Sequence, residues 1–380
     1  MAKKVSSKLK SKAKRQAKKV AKKHPVLTFF ILLIFVCVVV GGYYVYEKFY
    51  NKTDISGELS IHFLELGNEY AGDCIYVKAG DNDILIDAGS RASSVSTIDN
   101  YLKDYVLDGK LEYVIVTHAD RDHIAGFSAS NGIFDLYDCG LIIDFPRTEK
   151  DTDLYHTYIE KRNAEIAQGA THYNALQCYN YLDGASRVYN LADSVSLEIL
   201  YNFYYENDAS SENDYSVCFM IKHGDRKFLF TGDLEEKGEE YLVEYNAISN
   251  VDVYKAGHHG SNTSSSSDFL SVINPKIVVV TCVAGSVEYT QNLQNTFPTQ
   301  NFINNVSKHT EKVYVTSQIE IEMGSDDKYH NKGQQKSLNG NVVVVSNADS
   351  EISVNCSAND LYLKDSEWYK NNREPATWWN

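Results

Sequence analysis

Residues 111–126 read LEYVIVTHADRDHIAG, an apolar run that ends in a dense group of polar side chains. Leu111–Thr117 has the composition of a buried β-strand. Four side chains that commonly bind metal ions follow it within six residues: His118, Asp120, Asp122 and His123. A tight loop at the carboxyl end of a strand directs alternate side chains into one pocket, and imidazoles together with carboxylates bind divalent ions. The stretch therefore predicts a metal centre at a strand end.

Three other segments place similar groups at the ends of apolar runs. ILIDAG, residues 84–89, ends a predicted strand at Asp87, and FLFTGD, residues 228–233, repeats this arrangement at Asp233. YKAGHHGS, residues 254–261, ends a third run at His258 and His259. A single aspartate after a strand is often only a helix cap. Four such strand ends in one chain favour a shared metal pocket.

The charge of the chain is divided between its two parts. Residues 1–46 carry 11 basic and no acidic side chains, whereas residues 47–380 carry 26 basic and 51 acidic side chains, a net charge of −25. Residues 26–46 contain no charge and reach roughly 30 Å as a helix, about one bilayer core. The basic flank predicts that residues 1–25 are a cytoplasmic tail and that the body lies outside the cell. The alternative is a cleaved signal peptide, against which the length of the apolar run argues.

The body begins after a polar linker, residues 47–57, and its first and last thirds are rich in strand-like runs. Helical segments follow each group of strands, which predicts an α/β architecture of two stacked sheets flanked by helices. We expect this domain to span residues 58–356 and to be followed by a C-terminal extension, residues 357–380. The seven cysteines show no CxxC pair and indicate no disulfide framework.

The motifs THADRDHIAG, LIDAG, FTGD and KAGHHGS together resemble those of the metallo-β-lactamase superfamily. Within it, residues 59–350 are most similar to the hydrolase domain of competence protein ComEC, through the stretches FLELGNEYAGDCIYVKAGDNDILIDAG, NDYSVCFMIKHGDRKFLFTGD and HHGSNTSSSS. The resemblance implies an αββα sandwich, here preceded by one transmembrane helix. The multi-span channel of ComEC has no counterpart in this chain.

The resemblance also implies roles for individual residues. It implies two divalent ions, Zn or Mn, held by His118, Asp120, Asp122, His123, Asp233 and His259. Asp122, His258 and Asp87 are the implied catalytic residues, with His258 stabilising charge on the substrate and Asp87 orienting the ligand loop. The implied substrate-binding residues are Asn213, Ser216 and Ser261.

Two departures from the family pattern affect the metal centre. Asp120 stands where many members have histidine, and the histidine that usually precedes the bridging aspartate has no counterpart before Asp233. A carboxylate in place of an imidazole makes the site harder, so Mn²⁺ competes better with Zn²⁺. One of the two ions is therefore expected to have fewer protein ligands, with water or substrate completing its coordination.

This chemistry predicts a metal-dependent hydrolase of phosphodiesters, by resemblance a DNase outside the membrane. The net charge of the body opposes tight binding of a polyanion. The acidic, tyrosine-containing loop 204–214 suits a cationic substrate, so a phosphorylcholine esterase acting on a cell-wall polymer is the alternative. The alternative of another class is a non-catalytic binding module on a membrane tether. No feature of the sequence indicates a stable protein partner.

Overall fold

The structure is a computed structural model, and it describes residues 33–34, 58–347 and 351–379. Apart from Leu33 and Ile34, the basic tail, the anchor and the linker predicted for residues 1–57 lie outside the described residues. Within the described ranges, no helix is both long and apolar enough to cross a membrane. The described residues from Glu58 onward belong to one compact unit.

The first sheet contains eight strands in the order β16-β15-β1-β2-β3-β4-β5-β6. It is antiparallel from β16 to β3 and parallel from β3 to β6. Its strands are β1 (Glu58–Phe63), β2 (Ile75–Ala79), β3 (Asn82–Ile86), β4 (Lys110–Ile115), β5 (Asp138–Asp144), β6 (Thr171–Asn174), β15 (Val342–Asn347) and β16 (Ser353–Cys356).

The second sheet also contains eight strands, in the order β14-β13-β12-β11-β10-β9-β8-β7. It repeats the change of direction, since β7 to β10 are antiparallel and β10 to β13 are parallel. Its strands are β7 (Val188–Ala192), β8 (Val195–Ile199), β9 (Phe219–His223), β10 (Arg226–Phe230), β11 (Val253–Lys255), β12 (Ile277–Ala284), β13 (Val313–Met323) and β14 (Tyr329–Ser337).

Side chains that alternate along the strands join these sheets face to face. Phe63 on β1 stacks on Phe230 on β10, with ring centroids 6.3 Å apart, so these faces form the central core. Their neighbours in sequence point the other way: the Nδ1 atom of His62 lies 2.7 Å from the hydroxyl of Tyr101, and Leu229 belongs to a separate cluster with helical residues. The predicted two-sheet sandwich is confirmed.

Helices cover the outer faces of the two sheets. Those that follow strands of the first sheet are α1 (Ser94–Leu102), α2 (Arg121–Ser128), α3 (Ile133–Leu136), α4 (Asp153–Gln168) and α5 (Ala175–Tyr179), the last of which leads to β7 of the second sheet. Those of the second sheet are α6 (Glu236–Tyr245), α7 (Ser267–Ile273) and α8 (Gln300–Val306), and α9 (Glu367–Asn372) follows near the C-terminus. Thr152, Asn174, Ser266, Thr299 and Ser366 cap helices by accepting a backbone N–H, which explains why these helices begin where they do.

The C-terminal segment, residues 357–379, packs on the second sheet and its helices. Leu363 and Trp368 are buried in the same apolar cluster as Phe302 of α8. The guanidinium of Arg373 donates to the backbone carbonyls of Leu293, Thr296 and Pro298 at distances of 2.7–3.1 Å. These contacts fasten the loop before α8 to the end of the chain.

Candidate metal centre

The predicted strand ends meet at one edge of the sandwich. Asp87 follows β3 and His118 follows β4, and these strands are parallel neighbours in the first sheet. Asp233 follows β10 and His259 follows β11, which are parallel neighbours in the second sheet. Because parallel strands end at the same edge, each sheet brings two of these groups together. Stacking of the sheets then places the two pairs around a common centre.

Four of the predicted ligands form a compact group in which only Asp122 is partly exposed: Asp122, His123, Asp233 and His259. Each offers one oxygen or nitrogen atom, and these atoms all lie within 4.8 Å of one another. The Oδ2 atom of Asp233 is 3.2 Å from Nε2 of His123 and 3.3 Å from Nε2 of His259. Nε2 of His259 and Oδ1 of Asp233 are buried without a hydrogen-bond partner. Unpaired buried atoms of these types suit a divalent ion.

Contacts at Nδ1 hold the two histidine rings of this group in place. The Nδ1 atom of His123 lies 2.8 Å from Oδ2 of Asp87, and Nδ1 of His259 lies 2.8 Å from the carbonyl oxygen of Thr281. Asp87 also accepts from the backbone N–H and the hydroxyl of Thr117, both at 2.8 Å. Such contacts leave the Nε2 atoms directed into the cluster. Asp87 is fully buried, so it positions the ligand loop without reaching the cleft.

The other two predicted metal ligands lie outside the four-residue group. Nε2 of His118 is 3.7 Å from Oδ2 of Asp120 and has no hydrogen-bond partner. The other oxygen of Asp120, Oδ1, forms an ion pair with Lys150 at 2.5 Å. The six predicted ligands are thus divided into four that lie close together and two, His118 and Asp120, that lie beside them.

Charges within the site set the protonation of the histidines. Burial lowers the pKa of His118 to about 4, helped by the neighbouring His123, so this imidazole is neutral and able to bind a metal ion. Burial alone would also lower the pKa of His259, but the carboxylates of Asp233 and Asp73 outweigh it and raise that pKa well above its usual value. Without an ion, a proton on His259 therefore helps to balance the buried carboxylates, whereas His118 stays neutral.

Sequence reasoning missed two residues of the site, Asp73 and Lys255. Lys255 is almost fully buried, with its Nζ atom 2.5 Å from Oδ2 of Asp73 and 3.6 Å from Oδ1 of Asp233. Asp73 in turn accepts from the hydroxyl of Thr281 and lies 3.3 Å from Nδ1 of His259. A lysine at the end of a strand that is otherwise apolar was the available signal for this buried ion pair.

His258 and His259 form a turn with left-handed backbone conformation. Their φ angles are 46° and 54°, a region that residues other than glycine seldom adopt. The turn sends His259 into the cluster and leaves His258 at its rim, where the Nδ1 atom is 3.1 Å from the hydroxyl of Thr263. The side chain of His258 is 21% exposed, whereas His259 is fully buried.

The three predicted substrate-binding residues occupy different positions. Asn213 lines the cleft, and its amide donates to Oε1 of Glu235 at 3.0 Å. Ser216 is fully buried, and its hydroxyl accepts from the backbone N–H of Asp233 at 3.0 Å. Ser261 is buried within its own loop, 3.1 Å from the hydroxyl of Thr263. Ser216 and Ser261 therefore support the site from beneath rather than line the cleft.

A cleft of about 430 Å³ opens onto the cluster. It is lined by Arg91, Asp120, Arg121, Asp122, Asn213, His258, Glu288 and Tyr289. The hydroxyl of Tyr289 donates to Oδ2 of Asp122 at 3.2 Å, and its ring lies 5.6 Å from that of Phe297. The tyrosines that suggested a cationic substrate, Tyr204 and Tyr205, are buried instead.

Comparison with known proteins agrees with this geometry. Residues 67–129 and 212–282 match the family described as the metallo-beta-lactamase superfamily, and these two segments contain all six predicted metal ligands. In these two segments the described domain is similar to the metallo-beta-lactamase superfamily. With its cluster of ligand atoms, it has the organisation of a metal-dependent hydrolase.

Among curated proteins, the chain is similar to competence protein ComA of Neisseria gonorrhoeae, with 28% identity over 209 residues, which are 55% of this chain and 25% of that protein. It is 30% identical over 111 residues to ComE operon protein 3 of Bacillus subtilis, covering 29% of this chain and 13% of that protein. The chain thus spans a quarter or less of these relatives. Among solved structures, the metallo-beta-lactamase fold protein YhfI of Bacillus subtilis matches 68% of this chain and 95% of its own, at 11% identity and a TM-score of 0.39.

Proposed function

We propose that the chain is a membrane-anchored, metal-dependent phosphodiesterase that acts on DNA outside the cytoplasm. The observation that carries this proposal is the convergence of Asp122, His123, Asp233 and His259 on one buried centre that opens into a cleft. The similarity to competence protein ComA, and to recombination protein 2 of Haemophilus influenzae, supports DNA as the substrate.

The residues of the centre would have different roles in catalysis. The four-residue group would hold one divalent ion, and His118 with Asp120 would help to hold a second. Bound divalent ions polarise a phosphoryl oxygen and lower the pKa of a bound water toward about 7. Asp87 and the carbonyl of Thr281 keep the imidazoles in their orientation. His258, exposed at the rim, is placed to donate a hydrogen bond to a substrate oxygen.

Zn²⁺ and Mn²⁺ are the proposed ions, and the carboxylate of Asp120 favours Mn²⁺. The full chain, purified in detergent and treated with EDTA, should regain hydrolysis of bis-p-nitrophenyl phosphate and DNA when either ion is added. Asp122→Ala should lose this activity, because it removes an oxygen from the four-ligand group. Asp151→Ala changes an aspartate whose side chain is 91% exposed and serves as the matched control. Turnover without metal, or equal turnover by Asp122→Ala, would refute the proposal.

The position of the anchor can be tested separately. The uncharged segment 26–46 and its basic N-terminal flank support a single span with the catalytic domain outside the cell. A reporter enzyme that is active only outside the cytoplasm should be active when fused after residue 380. Activity of a cytoplasmic reporter at the same position would reverse the orientation.

A phosphorylcholine esterase is the second candidate, because an exposed tyrosine lines the cleft. The ring of Tyr289, which is 56% exposed, stands beside Phe297 and next to Glu288, a combination that suits a quaternary ammonium group. Faster turnover of p-nitrophenyl-phosphorylcholine than of DNA would select this candidate. Metal binding without turnover of any of these esters would select the non-catalytic module.

A further inference from the structure

Two arginines line the cleft beside the metal centre, and among the described residues only one of them forms an ion pair. The guanidinium of Arg91 forms an ion pair with Oε1 of Glu288 at 2.7 Å and covers the ring of Tyr70 at 3.9 Å. Lys150, near the same edge, is neutralised by Asp120. Within residues 58–347 and 351–379, no carboxylate lies within ion-pair distance of Arg121, which lines the cleft. Its guanidinium therefore has no direct ion-pair partner among these residues.

Arg121 has a rigid backbone and an exposed side chain. It is the first residue of α2 and stands between the two aspartates of the ligand loop, Asp120 and Asp122. The carbonyl oxygen of Asp120 accepts from the N–H groups of His123 and Ile124, both at 3.0 Å, which fixes the loop around Arg121. The side chain itself is exposed to solvent. The structure thus holds a free guanidinium next to the cluster.

A guanidinium in this position is suited to binding an anionic ligand. It is permanently charged, and its planar fork donates two parallel hydrogen bonds to phosphate or carboxylate oxygens. The body of the chain is strongly acidic, so an anionic substrate gains no attraction from the average charge. A local unpaired cation at the cleft supplies attraction where the substrate must enter.

We propose that Arg121 binds a non-bridging oxygen of a substrate phosphate and selects anionic phosphodiesters for this cleft. The proposal rests on the phosphodiesterase function proposed above and assigns it a residue that recognises the anion. The interaction between Arg121 and the phosphate is electrostatic, so it should weaken as the salt concentration rises.

Equilibrium binding tests this role independently of turnover. The full chain in detergent is titrated into a fluorescently labelled single-stranded oligonucleotide at several NaCl concentrations, and Kd is measured by anisotropy. Arg121→Gln should raise Kd about tenfold at low salt and reduce the slope of log Kd against log salt by about 0.7, the value for one phosphate contact on a single strand. Arg121→Lys should lie between the wild type and Arg121→Gln, because it keeps the charge but loses the fork.

The control is Arg187→Gln, since Arg187 is paired with Glu198 on the second sheet and lies away from the cleft. This variant should bind like the wild type. An unchanged Kd and salt slope for Arg121→Gln would overturn the proposal, as would equal losses in both arginine variants. If the wild type binds the oligonucleotide through Arg121 but does not cleave it, the anion site stands and the phosphodiesterase function fails.

Discussion

Lys255 places a positive charge where solvent does not reach, between the carboxylates of Asp73 and Asp233. Burial alone would lower its pKa, but these two carboxylates outweigh burial and raise it, so the ammonium stays charged. Lys255→Met leaves the carboxylates without their cation. We expect this change to reduce the free energy of unfolding by about 4 kcal/mol in EDTA, the usual cost of breaking a buried ion pair.

The stability loss of Lys255→Met should depend on whether metal ions are present. A divalent ion bound by Asp233 would replace part of the missing charge, so Zn²⁺ or Mn²⁺ should restore some of the stability that Lys255→Met loses. Urea unfolding with and without metal measures this. The control is Lys222→Met, which removes a half-exposed ion pair with Glu198 and should cost about 1 kcal/mol or less under both conditions. Equal loss for Lys255→Met with and without metal would assign the effect to packing alone.

The left-handed backbone at His258 should limit which side chains this position tolerates. At a φ angle of 46°, asparagine is tolerated, whereas a β-branched side chain clashes with its own backbone. His258→Val should therefore be about 1–2 kcal/mol less stable than His258→Asn in chemical unfolding. Both variants remove the same imidazole, so their difference reports only the backbone. Equal stability would mean that the turn is not strained in solution.

The sequence identified those site residues that stand close together in the chain. His118 to His123 form one contiguous motif, and Asp233 and His259 end recognisable apolar strands. Asp73 has no such context, and Lys255 ends a strand without any local sign of its partner, because the contact between them joins distant segments. Their pairing follows from the stacking of the sheets, which no local pattern encodes. The same holds for Ser216, whose buried contact with the backbone of Asp233 also joins distant segments.

Helix α6 is tied to the segment after the histidine turn through Glu239. This carboxylate is fully buried and accepts from the backbone N–H groups of Ser265 and Ser266 at 2.5 and 2.9 Å. Burial raises its pKa to about 7 from a model-peptide value near 4.5. The folded state therefore holds a proton that the unfolded state releases between these values, and stability falls as pH rises through about 7.

Glu239→Gln removes this titration. The wild type should lose up to about 3 kcal/mol between pH 5 and pH 8 from this group, at about 1.36 kcal/mol per unit of pKa shift. The variant should show a correspondingly flatter dependence of unfolding free energy on pH. Parallel pH profiles for the two proteins would show that Glu239 does not titrate in this range.

The last strands show where element prediction fails. β13 reads VYVTSQIEIEM and contains apolar residues along its length, whereas its partner β14 reads YHNKGQQKS, without apolar alternation. β14 is an edge strand that pairs through its backbone while its side chains are largely exposed, so its residues need not be apolar. Hydrophobic periodicity detects a strand by the face it buries, and β14 buries almost none.

The C-terminal segment belongs to the folded unit, whereas the sequence predicts residues 357–380 as an extension after the domain. A chain that ends at Cys356 would lose the buried side chains of Leu363 and Trp368 and the bonds from Arg373 to the loop before α8. We expect it to be less stable by about 5 kcal/mol, since each large apolar side chain contributes about 1.5–3 kcal/mol.

Urea unfolding of the shortened and full chains measures this loss. Phe297 of the fastened loop lies 5.8 Å from the ring of His259, so the shortened chain should also bind Zn²⁺ or Mn²⁺ more weakly. Trp378→Ala is the matched control, because that indole is 67% exposed and should contribute little. A shortened chain as stable as the full one would mean that residues 357–379 only rest on the surface.

The ion pair between Asp73 and Lys255 also fixes when the centre can form during synthesis. The ribosome releases Asp73, Asp87 and Asp122 well before Lys255 and His259, so strands β1 to β6 of the first sheet emerge with these carboxylates but without their cation. Long-range contacts of this kind are slow to form, because most of the chain must be ordered first. Metal loading is therefore expected to be one of the last steps in the maturation of a nascent chain.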